Sequence, residues 1–349
     1  MNINEILLNG AIPYLANYNC SGRRLGNFML NEGDFSQRQQ EAVSIIKSIM
    51  SSNDKELLYE YVAKLADIEP RIRNLQPWAR DHVVHALLSF VLGINLNERF
   101  LPPDPYKVDP FQWKIAGLFH DIWYPLQIAA EGLVKPFSEQ INQIKKELGS
   151  DKCDIKFQIV PEGLNDLNNG VNSIELVQER LNDWNLEVNA QKIYDDMLNS
   201  GNIKHGVISS LAVLYIIDLM YQKYNPKRLY IDVPSPNNSA NFNQKYFRED
   251  VVSACSAIYI HDLPKTYFSK KKLDHTKAPV GFLLKLCDAL QEWERPSLRN
   301  QKGYSAANFE IIIDTEKLTF EADIPNERKA KIKNELSSLD LTGIEIAIQ

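Results

Sequence analysis

The chain has 349 residues, 44% hydrophobic and 24% charged, which is the composition of an ordinary globular protein long enough for one large domain or a domain with an appendage. Its formal net charge of −6 excludes a general positive coat for nucleic acid, although a local basic groove is compatible with it. The first residues lack the basic start and long apolar core of a signal peptide, no apolar run appears long enough to span a membrane, and the four cysteines make no C-x-x-C pair, so we expect a cytoplasmic protein with reduced cysteines.

Residues 1–77 are predicted to form an N-terminal helical segment, because apolar residues recur at steps of three and four over residues 36–67. Pro77 separates this segment from the next helix, which we expect from about residue 78 to residue 96. That helix carries two histidines, His82 and His85.

Residues 78–300 are predicted to form a helical core with two insertions. The first insertion, residues 130–204, is more polar than its surroundings and contains a loop signal between stretches of helical periodicity. The second insertion, residues 222–248, is a polar loop with three prolines. We expect the first insertion to be helical and to lie over the core, and we expect both insertions to determine specificity.

Residues 301–349 change character, because two runs of alternating apolar and polar residues joined by a polar turn predict a β-hairpin there. A helix is expected over Glu327–Leu336 and a third strand over Ile344–Ile348. The predicted fold class is therefore mainly α with a small C-terminal α+β appendage. The appendage contains no histidine or cysteine, so we assign it no chemistry and expect its exposed β edge to contribute to a homo-oligomer.

Several metal-binding side chains lie at the ends or on one face of apolar helices. His120 and Asp121 end such a helix, where an aspartate is electrostatically disfavoured and a compensating cation is expected. Asp288 lies inside an apolar helix, where an unpaired carboxylate would be costly. Imidazole nitrogen combined with carboxylate oxygen suits Mn, Fe, Co, Ni or Zn better than calcium. The predicted metal ligands are His85, His120, Asp121, His205, His261 and Asp288.

His82 and His85 share one helix face because they are three residues apart. Leu88 and Leu92 continue the face of His85, so we assign His85 as the ligand and His82 to a phosphate contact or to the surroundings of the site. The alternative for His82 is an ordinary polar residue at a helix start. His275, in a lysine-rich stretch, is expected to be a solvated loop residue.

The order of these residues resembles the HD-domain metal-dependent phosphohydrolases over roughly residues 78–296. The segment Gly-Leu-Phe-His-Asp-Ile-Trp-Tyr-Pro around Asp121 is similar to the signature of that family, and the stretches beginning at His205 and Leu286 resemble its later ligand helices. The resemblance implies an HD-domain-like core of at least five helices around the metals. Members with two additional histidines resemble binuclear phosphodiesterase-type sites, which implies two divalent ions here. The long span before His205, and the lack of a Gly-Tyr-Pro motif after His261, give no support for cyclic dinucleotides as substrates.

The resemblance implies a phosphohydrolase or phosphodiesterase that uses metal-activated water on a nucleotide or related phosphate ester. Asp121 would bridge the ions, and Tyr124 would shape the pocket floor. Three cations are candidates for holding phosphate oxygens: Arg80, Lys204 and Lys265.

Two alternatives remain open at the level of the sequence. One is a metal-dependent nuclease on single-stranded nucleic acid, which the acidic balance disfavours. The other is a non-catalytic, metal-stabilised regulatory or scaffold module that docks a partner through the appendage. A complete ligand set disfavours that module, because purely structural metals seldom need an open site.

Overall fold

A computed structural model gives the structure of most of the chain. The described ranges are 3–30, 35–51, 59–70, 81–101, 106–149, 159, 163–167, 170–224, 246–294, 309–314 and 317–349. They form a mainly helical protein with a few small strands, so the predicted fold class is confirmed at this level. Both predicted domain boundaries, at residues 77–78 and 300–301, and most of the predicted loop over 222–248 lie outside the described residues.

Helices and short turns follow one another along the chain. The α-helices are α1 (Ile3–Ala11), α2 (Gly22–Leu30), α3 (Phe35–Met50), α4 (Glu60–Ala63), α5 (His82–Arg99), α6 (Pro110–Phe119), α7 (Tyr124–Ala129), α8 (Lys135–Glu147), α9 (Ser173–Asp183), α10 (Ala190–Ser200), α11 (His205–Tyr224), α12 (Val252–His261), α13 (Pro279–Leu290) and α14 (Asn326–Leu336). Short 3-10 helices cover Ile12–Tyr18, Lys64–Ile68 and Lys265–Phe268, and π-helical turns cover Ala130–Val134 and Phe247–Val251.

The strands are short and belong to three small sheets. They are β1 (Asp166–Leu167), β2 (Val171–Asn172), β3 (Leu273–Asp274), β4 (Phe309–Ile313), β5 (Lys317–Ala322), β6 (Leu339–Asp340) and β7 (Glu345–Ile348). β1 and β2 pair antiparallel, β3 and β6 pair parallel, and the third sheet has the order β4-β5-β7. The predicted hairpin is confirmed as the antiparallel pair of β4 and β5, and the predicted third strand is confirmed as β7, which runs parallel to β5.

The central helix α5 is almost entirely buried from His82 to Asn97. It begins at His82, later than predicted, because the Asp81 carboxylate accepts a hydrogen bond from the Val84 amide at 2.8 Å and caps the helix. α6 crosses α5 closely at Gly93, where an added Cβ would lie only 1.9 Å from the ring of Trp113. This close crossing places the C-terminal end of α6 beside the first turns of α5.

The helices around α5 form one continuous hydrophobic core. α12 packs against α6, α9, α11 and α13, while α13 packs against α5 and α6. α1 and α3 also pack on α5, so the N-terminal segment shares this core. The buried Asn95 of α5 reinforces that contact by donating a hydrogen bond to the carbonyl of Leu7 in α1 at 2.9 Å.

The predicted insertion over 130–204 is largely helical in its described part, as α8, α9 and α10. α9 and α10 bury their apolar faces, and α9 packs against α12. α8 contains no buried residue. Leu133, Phe137, Ile144 and Leu148 leave an apolar stripe of this region exposed.

The C-terminal residues pack on the helical core instead of standing apart from it. β6 pairs with β3, which precedes α13, and α14 packs on α13. The helix predicted over Glu327–Leu336 is confirmed as α14.

Two expectations from composition can be compared with the described residues. Cys255 and Cys287 are buried free thiols, as expected for reduced core cysteines. Cys20 is also a buried free thiol, while Cys153 lies outside the described residues. The expectation that no stretch reaches membrane-spanning length was wrong. The helical stretch His205–Lys223 is long and apolar enough to cross a membrane, judged by length and composition alone. Most of that stretch is buried inside the protein, as in the core helix of a folded domain.

Candidate metal centre

The six predicted ligands lie on elements that meet at one end of α5. His85 lies in the first turn of α5, His205 begins α11, and His261 ends α12. His120 and Asp121 directly follow α6, and Asp288 lies in the last turns of α13. The predicted positions of these residues at helix ends or inside helices are therefore confirmed, and the fold brings all six together.

Three of these side chains form a first group of candidate ligands, called here the first pocket. The Nε2 atom of His85 lies 3.0 Å from Oδ1 of Asp288 and 3.2 Å from Nε2 of His120. Nε2 of His120 lies 4.0 Å from the same Asp288 oxygen. Potential ligand atoms of these three residues lie within 4.8 Å of one another, so this group could hold a metal ion.

A second pocket lies beside the first. Nε2 of His205 and Nε2 of His261 are 3.1 Å apart. Oδ1 of Asp121 lies 3.1 Å from the first of these nitrogens and 3.2 Å from the second. Asp121 and His261 also form a buried group with His120 that could hold a metal ion.

Asp121 lies between the two pockets and contacts both. Its Oδ1 contacts His205 and His261 and lies 3.7 Å from Nε2 of His120, whereas its Oδ2 lies 3.8 Å from Nε2 of His85 in the first pocket. The residue is only 5% exposed, so its carboxylate is surrounded by imidazoles instead of water. One carboxylate is thereby shared by both groups of ligands.

The rings of His120 and His261 are fixed by the helix that each one ends. Nδ1 of His120 lies 3.1 Å from the Gly117 carbonyl, and Nδ1 of His261 lies 2.7 Å from the Ile258 carbonyl. In both cases the acceptor is three residues earlier, in the last helical turn, where carbonyls lack intrahelical partners. A carbonyl only accepts, so each Nδ1 carries the hydrogen and each Nε2 faces the pocket.

Side-chain acceptors fix the other two histidines in the same way. Nδ1 of His205 lies 2.8 Å from Oε1 of Gln127 and 3.4 Å from Oδ2 of Asp262. Nδ1 of His85 contacts Oε1 of Gln291. Partners of this kind hold metal-binding histidines in one tautomer and orientation.

Four neutral imidazoles in these tautomers would point their Nε2 lone pairs at one another across 3.1 Å and 3.2 Å. Lone pairs at these distances repel, and the two carboxylates beside them add negative charge. A cation between the nitrogens removes the repulsion, and imidazole with carboxylate is a donor set that divalent transition metals accept. The residues present therefore fit a metal ion.

The pKa values of His120, Asp121 and His261 also indicate that the site favours a positive charge beside Asp121. Burial lowers the pKa of His120 to about 4, although the charge of Asp121 opposes this shift. Burial alone would raise the pKa of Asp121, but the surrounding histidines hold it well below its usual value. Burial also opposes protonation of His261, yet its hydrogen bond to Asp121 and the charge of Asp262 raise its pKa to about 9. Without a metal, a proton on His261 balances Asp121, and metal binding would displace that proton.

His82 lies near these ligands but contacts different residues. Nδ1 of His82 lies 3.0 Å from Oε1 of the buried Glu69, and its ring stacks on Tyr124 at a centroid distance of 3.9 Å. The Tyr124 ring also lies 4.7 Å, centroid to centroid, from the ring of His205. Tyr124 thus contacts both His82 and a residue of the second pocket.

No described interaction joins a predicted phosphate-binding cation to the side chain of a predicted metal ligand. Lys204 is half-buried and directly precedes His205, whereas Lys265 is exposed in the short helix after α12. Arg80 lies outside the described residues. His275 is half-buried, and its ring contacts those of Tyr106 and Phe282.

Sequence reasoning missed three residues that orient the predicted ligands: Gln127, Asp262 and Gln291. Asp262 follows His261 as a second His-Asp pair, and this repeat of the pattern at residues 120–121 is a signal that could have identified it. Neither glutamine has a sequence signal, because each reaches a histidine distant in the chain, Gln127 reaching His205 and Gln291 reaching His85.

No protein-family model, curated protein or solved structure matches this chain.

Proposed function

We propose that this protein is a metal-dependent phosphohydrolase of the HD-domain type that acts on a nucleotide or a related phosphate ester. The observation that carries the proposal is the position of Asp121, whose carboxylate lies between two adjacent groups of candidate ligands and contacts both. The order of the candidate ligands along the chain, from His85 to Asp288, is also the order that the resemblance to the HD-domain family implies. The HD-like arrangement of the helical core is part of this proposal.

Two divalent ions fit the donor set better than one. The first pocket offers His85, His120 and Asp288, and the second offers His205 and His261, with Asp121 available to both. In two-metal hydrolases the ions lie about 3.5–4 Å apart, a separation that one bridging carboxylate can span. Nitrogen and oxygen donors favour Mn, Fe, Co, Ni or Zn as the ions.

The side chains have separate tasks in this proposal. Divalent ions bound here supply a Lewis acid for phosphoryl oxygens and lower the pKa of water. The histidines are held with Nε2 toward the pockets, so they need no rearrangement on binding. The side chains of Asp288 and His205 remain 27% and 12% exposed, whereas that of His120 is fully buried. Substrate would therefore approach from the side of Asp288 and His205.

In the described part of the chain, Lys285 reaches the site through the His261 carbonyl, to which its Nζ donates at 2.8 Å, and no cluster of lysines and arginines is seen there. In this proposal Lys204, which precedes His205, would contact phosphate oxygens, and such charge-assisted contacts are among the stronger hydrogen bonds. Tyr124 presents its ring against His205 and would form a wall of the site. A small phosphate ester suits this limited positive surface better than a long nucleic acid, whose binding needs clustered Lys and Arg.

Metal analysis followed by a nucleotide panel tests the proposal. We expect purified protein supplied with Mn, Co or Ni to bind close to two ions per chain and to release phosphate, pyrophosphate or triphosphate from a nucleotide. Asp121→Asn should lose metal and reduce the rate by about 100-fold or more, since loss of even an outer partner of a ligand costs about 10–100-fold in affinity or activity. Asp323→Asn, at an exposed position after β5, is the matched control and should behave as wild type.

Three other outcomes would contradict the proposal. Protein that holds no metal, and is not activated by added Mn, Co or Ni, has no metal centre. Bound metal without turnover of any nucleotide would favour the regulatory or scaffold module. A gel shift with single-stranded nucleic acid that weakens with salt, together with its cleavage, would favour the nuclease.

A further inference from the structure

Four residues that follow α13, Gln291–Glu294, connect the candidate metal centre to both ends of the chain. The first three are almost fully buried, with exposures of 1% for Gln291, 0% for Glu292 and 0% for Trp293. Glu294 adopts a left-handed conformation with φ of 60°. Each of the four side chains forms hydrogen bonds, and Asn4 in α1 binds both Trp293 and Glu294, so every residue of the segment is anchored.

The anchors of this segment come from three helices of the terminal regions. The Arg328 guanidinium in α14 binds the Glu292 carboxylate with two nitrogens, one of them at 2.7 Å. The Trp293 indole donates to Oδ1 of Asn4 in α1 at 3.0 Å. Glu294 forms an ion pair with Arg38 in α3 at 2.5 Å. Such bidentate and charge-assisted contacts hold a short irregular segment in one geometry.

The Gln291 side chain uses both ends of its amide. Its Nε2 donates to the Trp293 carbonyl at 2.7 Å, which turns Oε1 toward Nδ1 of His85. Because Oε1 only accepts, Nδ1 of His85 must carry the hydrogen, and Nε2 of His85 is left free to face His120 and Asp288. The direction of this one amide thereby determines which nitrogen of His85 faces the first pocket.

We propose that Gln291 is a positioning residue for the first pocket, acting on the metal through His85. This inference rests on the proposed metal centre and extends it to a residue outside the ligand set. An apolar side chain of similar length would fill the same space, but it would leave Nδ1 of His85 without this acceptor. Neutral His85 could then carry its hydrogen on Nε2, where it blocks metal binding.

The second pocket provides a matched comparison, because Gln127 accepts a hydrogen bond from Nδ1 of His205 just as Gln291 accepts one from His85. The test uses Gln291→Met, Gln291→Glu and Gln127→Met. Gln143→Met, on the exposed side of α8, is the neutral control. Glutamic acid at 291 can keep a proton, donate to the Trp293 carbonyl and still accept from His85, so it should rescue the function.

Two measurements are made on each variant. Nitrogen-15 NMR of selectively labelled histidine reports the tautomer of His85 in metal-free protein, and competition with a chromophoric chelator reports Zn²⁺ affinity and stoichiometry. We expect Gln291→Met to shift His85 toward the Nε2–H tautomer and to weaken one of two Zn²⁺ ions by about 10–100-fold. Gln127→Met should instead change the resonances of His205. Gln291→Glu and Gln143→Met should retain wild-type values for His85.

An unchanged His85 tautomer and unchanged Zn²⁺ binding in Gln291→Met would overturn the positioning role. Failure of Gln291→Glu to restore the tautomer would also overturn it, and this variant remains informative if the methionine variant unfolds. A tautomer change in Gln291→Met, in a protein whose wild type binds no Zn²⁺, would support the orientation of His85 by Gln291 while overturning the proposed metal centre.

Discussion

His82 and His85 lie one turn apart on α5 but have different surroundings. His85 directs Nε2 at Asp288 and His120, whereas His82 pairs with the buried carboxylate of Glu69. The backbone amide of His82 also donates to this carboxylate at 3.2 Å. At the residue scale, one histidine therefore lies in the proposed ligand set and the other satisfies a buried acid near the start of its helix.

Replacement of these histidines by alanine separates the two roles. We predict that His85→Ala lowers metal content by about one ion per chain, because the first pocket loses one of its few protein ligands. His82→Ala should keep the metal but lower the free energy of unfolding by about 1–3 kcal/mol, since Glu69 loses a buried hydrogen-bond partner. Elemental analysis and urea denaturation measure the two effects.

His275→Ala is the control for metal content, because its ring contacts Tyr106 and Phe282 and no described contact joins it to a predicted ligand. It should leave metal content unchanged. If His82→Ala strips the metal while His85→Ala retains it, the assignment of the two histidines is reversed.

At the element scale, the ends of α11 and α12 meet at Gly206. A Cβ added there would lie 2.7 Å from the Ile258 carbonyl, 2.8 Å from Oδ1 of Asp262 and 2.9 Å from Cε1 of His261. The first of these atoms is backbone, so relief of the contact requires the helices to move apart. The spacing of His205 and His261 therefore depends on a glycine between them.

We predict that Gly206→Ala destabilises the protein by about 1–3 kcal/mol through overpacking and weakens the second pocket. Gly26→Ala in α2 is the matched control, because an added Cβ there meets only a Leu8 methyl at 3.7 Å. That control should be neutral or stabilising by up to about 1 kcal/mol, since alanine is favoured over glycine inside a helix. Equal thermal stability and equal Zn²⁺ stoichiometry in the two variants would contradict the close approach of the helix ends.

Local sequence patterns were sufficient to place the ligand-bearing helices, but not to describe how their side chains are held. His120 and His261 each end an apolar helix, and hydrophobic periodicity locates such ends. Gln127 and Gln291 act on histidines 78 and 206 residues away in the chain, a relation that only tertiary packing creates. Strands of two residues, such as β3 and β6, likewise carry too few side chains for a recognisable period.

At the scale of the whole molecule, the terminal regions and the core are packed as one body. β6 pairs with β3, α14 packs on α13, and Glu292, two residues after α13, is completely buried and paired with Arg328. The C-terminal residues that sequence reasoning assigned no chemistry are thus bonded to the segment that contacts His85. A buried ion pair of this kind is costly to break on one side only.

We predict that Arg328→Met lowers the free energy of unfolding by about 3–5 kcal/mol, because it leaves the Glu292 carboxylate buried without this counter-ion. The double variant Arg328→Met with Glu292→Leu should recover most of the loss, since an apolar pair of similar volume removes the buried charge. Arg24→Met, at an exposed position in α2, is the matched control. Urea denaturation measures all three, and equal losses in the single and double variants would show that the charge of Glu292 is not the cause.

The measurement that tests the central claim most directly is X-ray absorption spectroscopy of protein loaded with a single metal such as Zn²⁺ or Co²⁺. Two ions that share Asp121 should give nitrogen and oxygen ligands together with a metal–metal scattering distance of about 3.5–4 Å. The Asp121→Asn variant should lose this signal. A single ion per chain with no metal–metal scattering, or a metal pair that persists in Asp121→Asn, would contradict a binuclear centre bridged by Asp121.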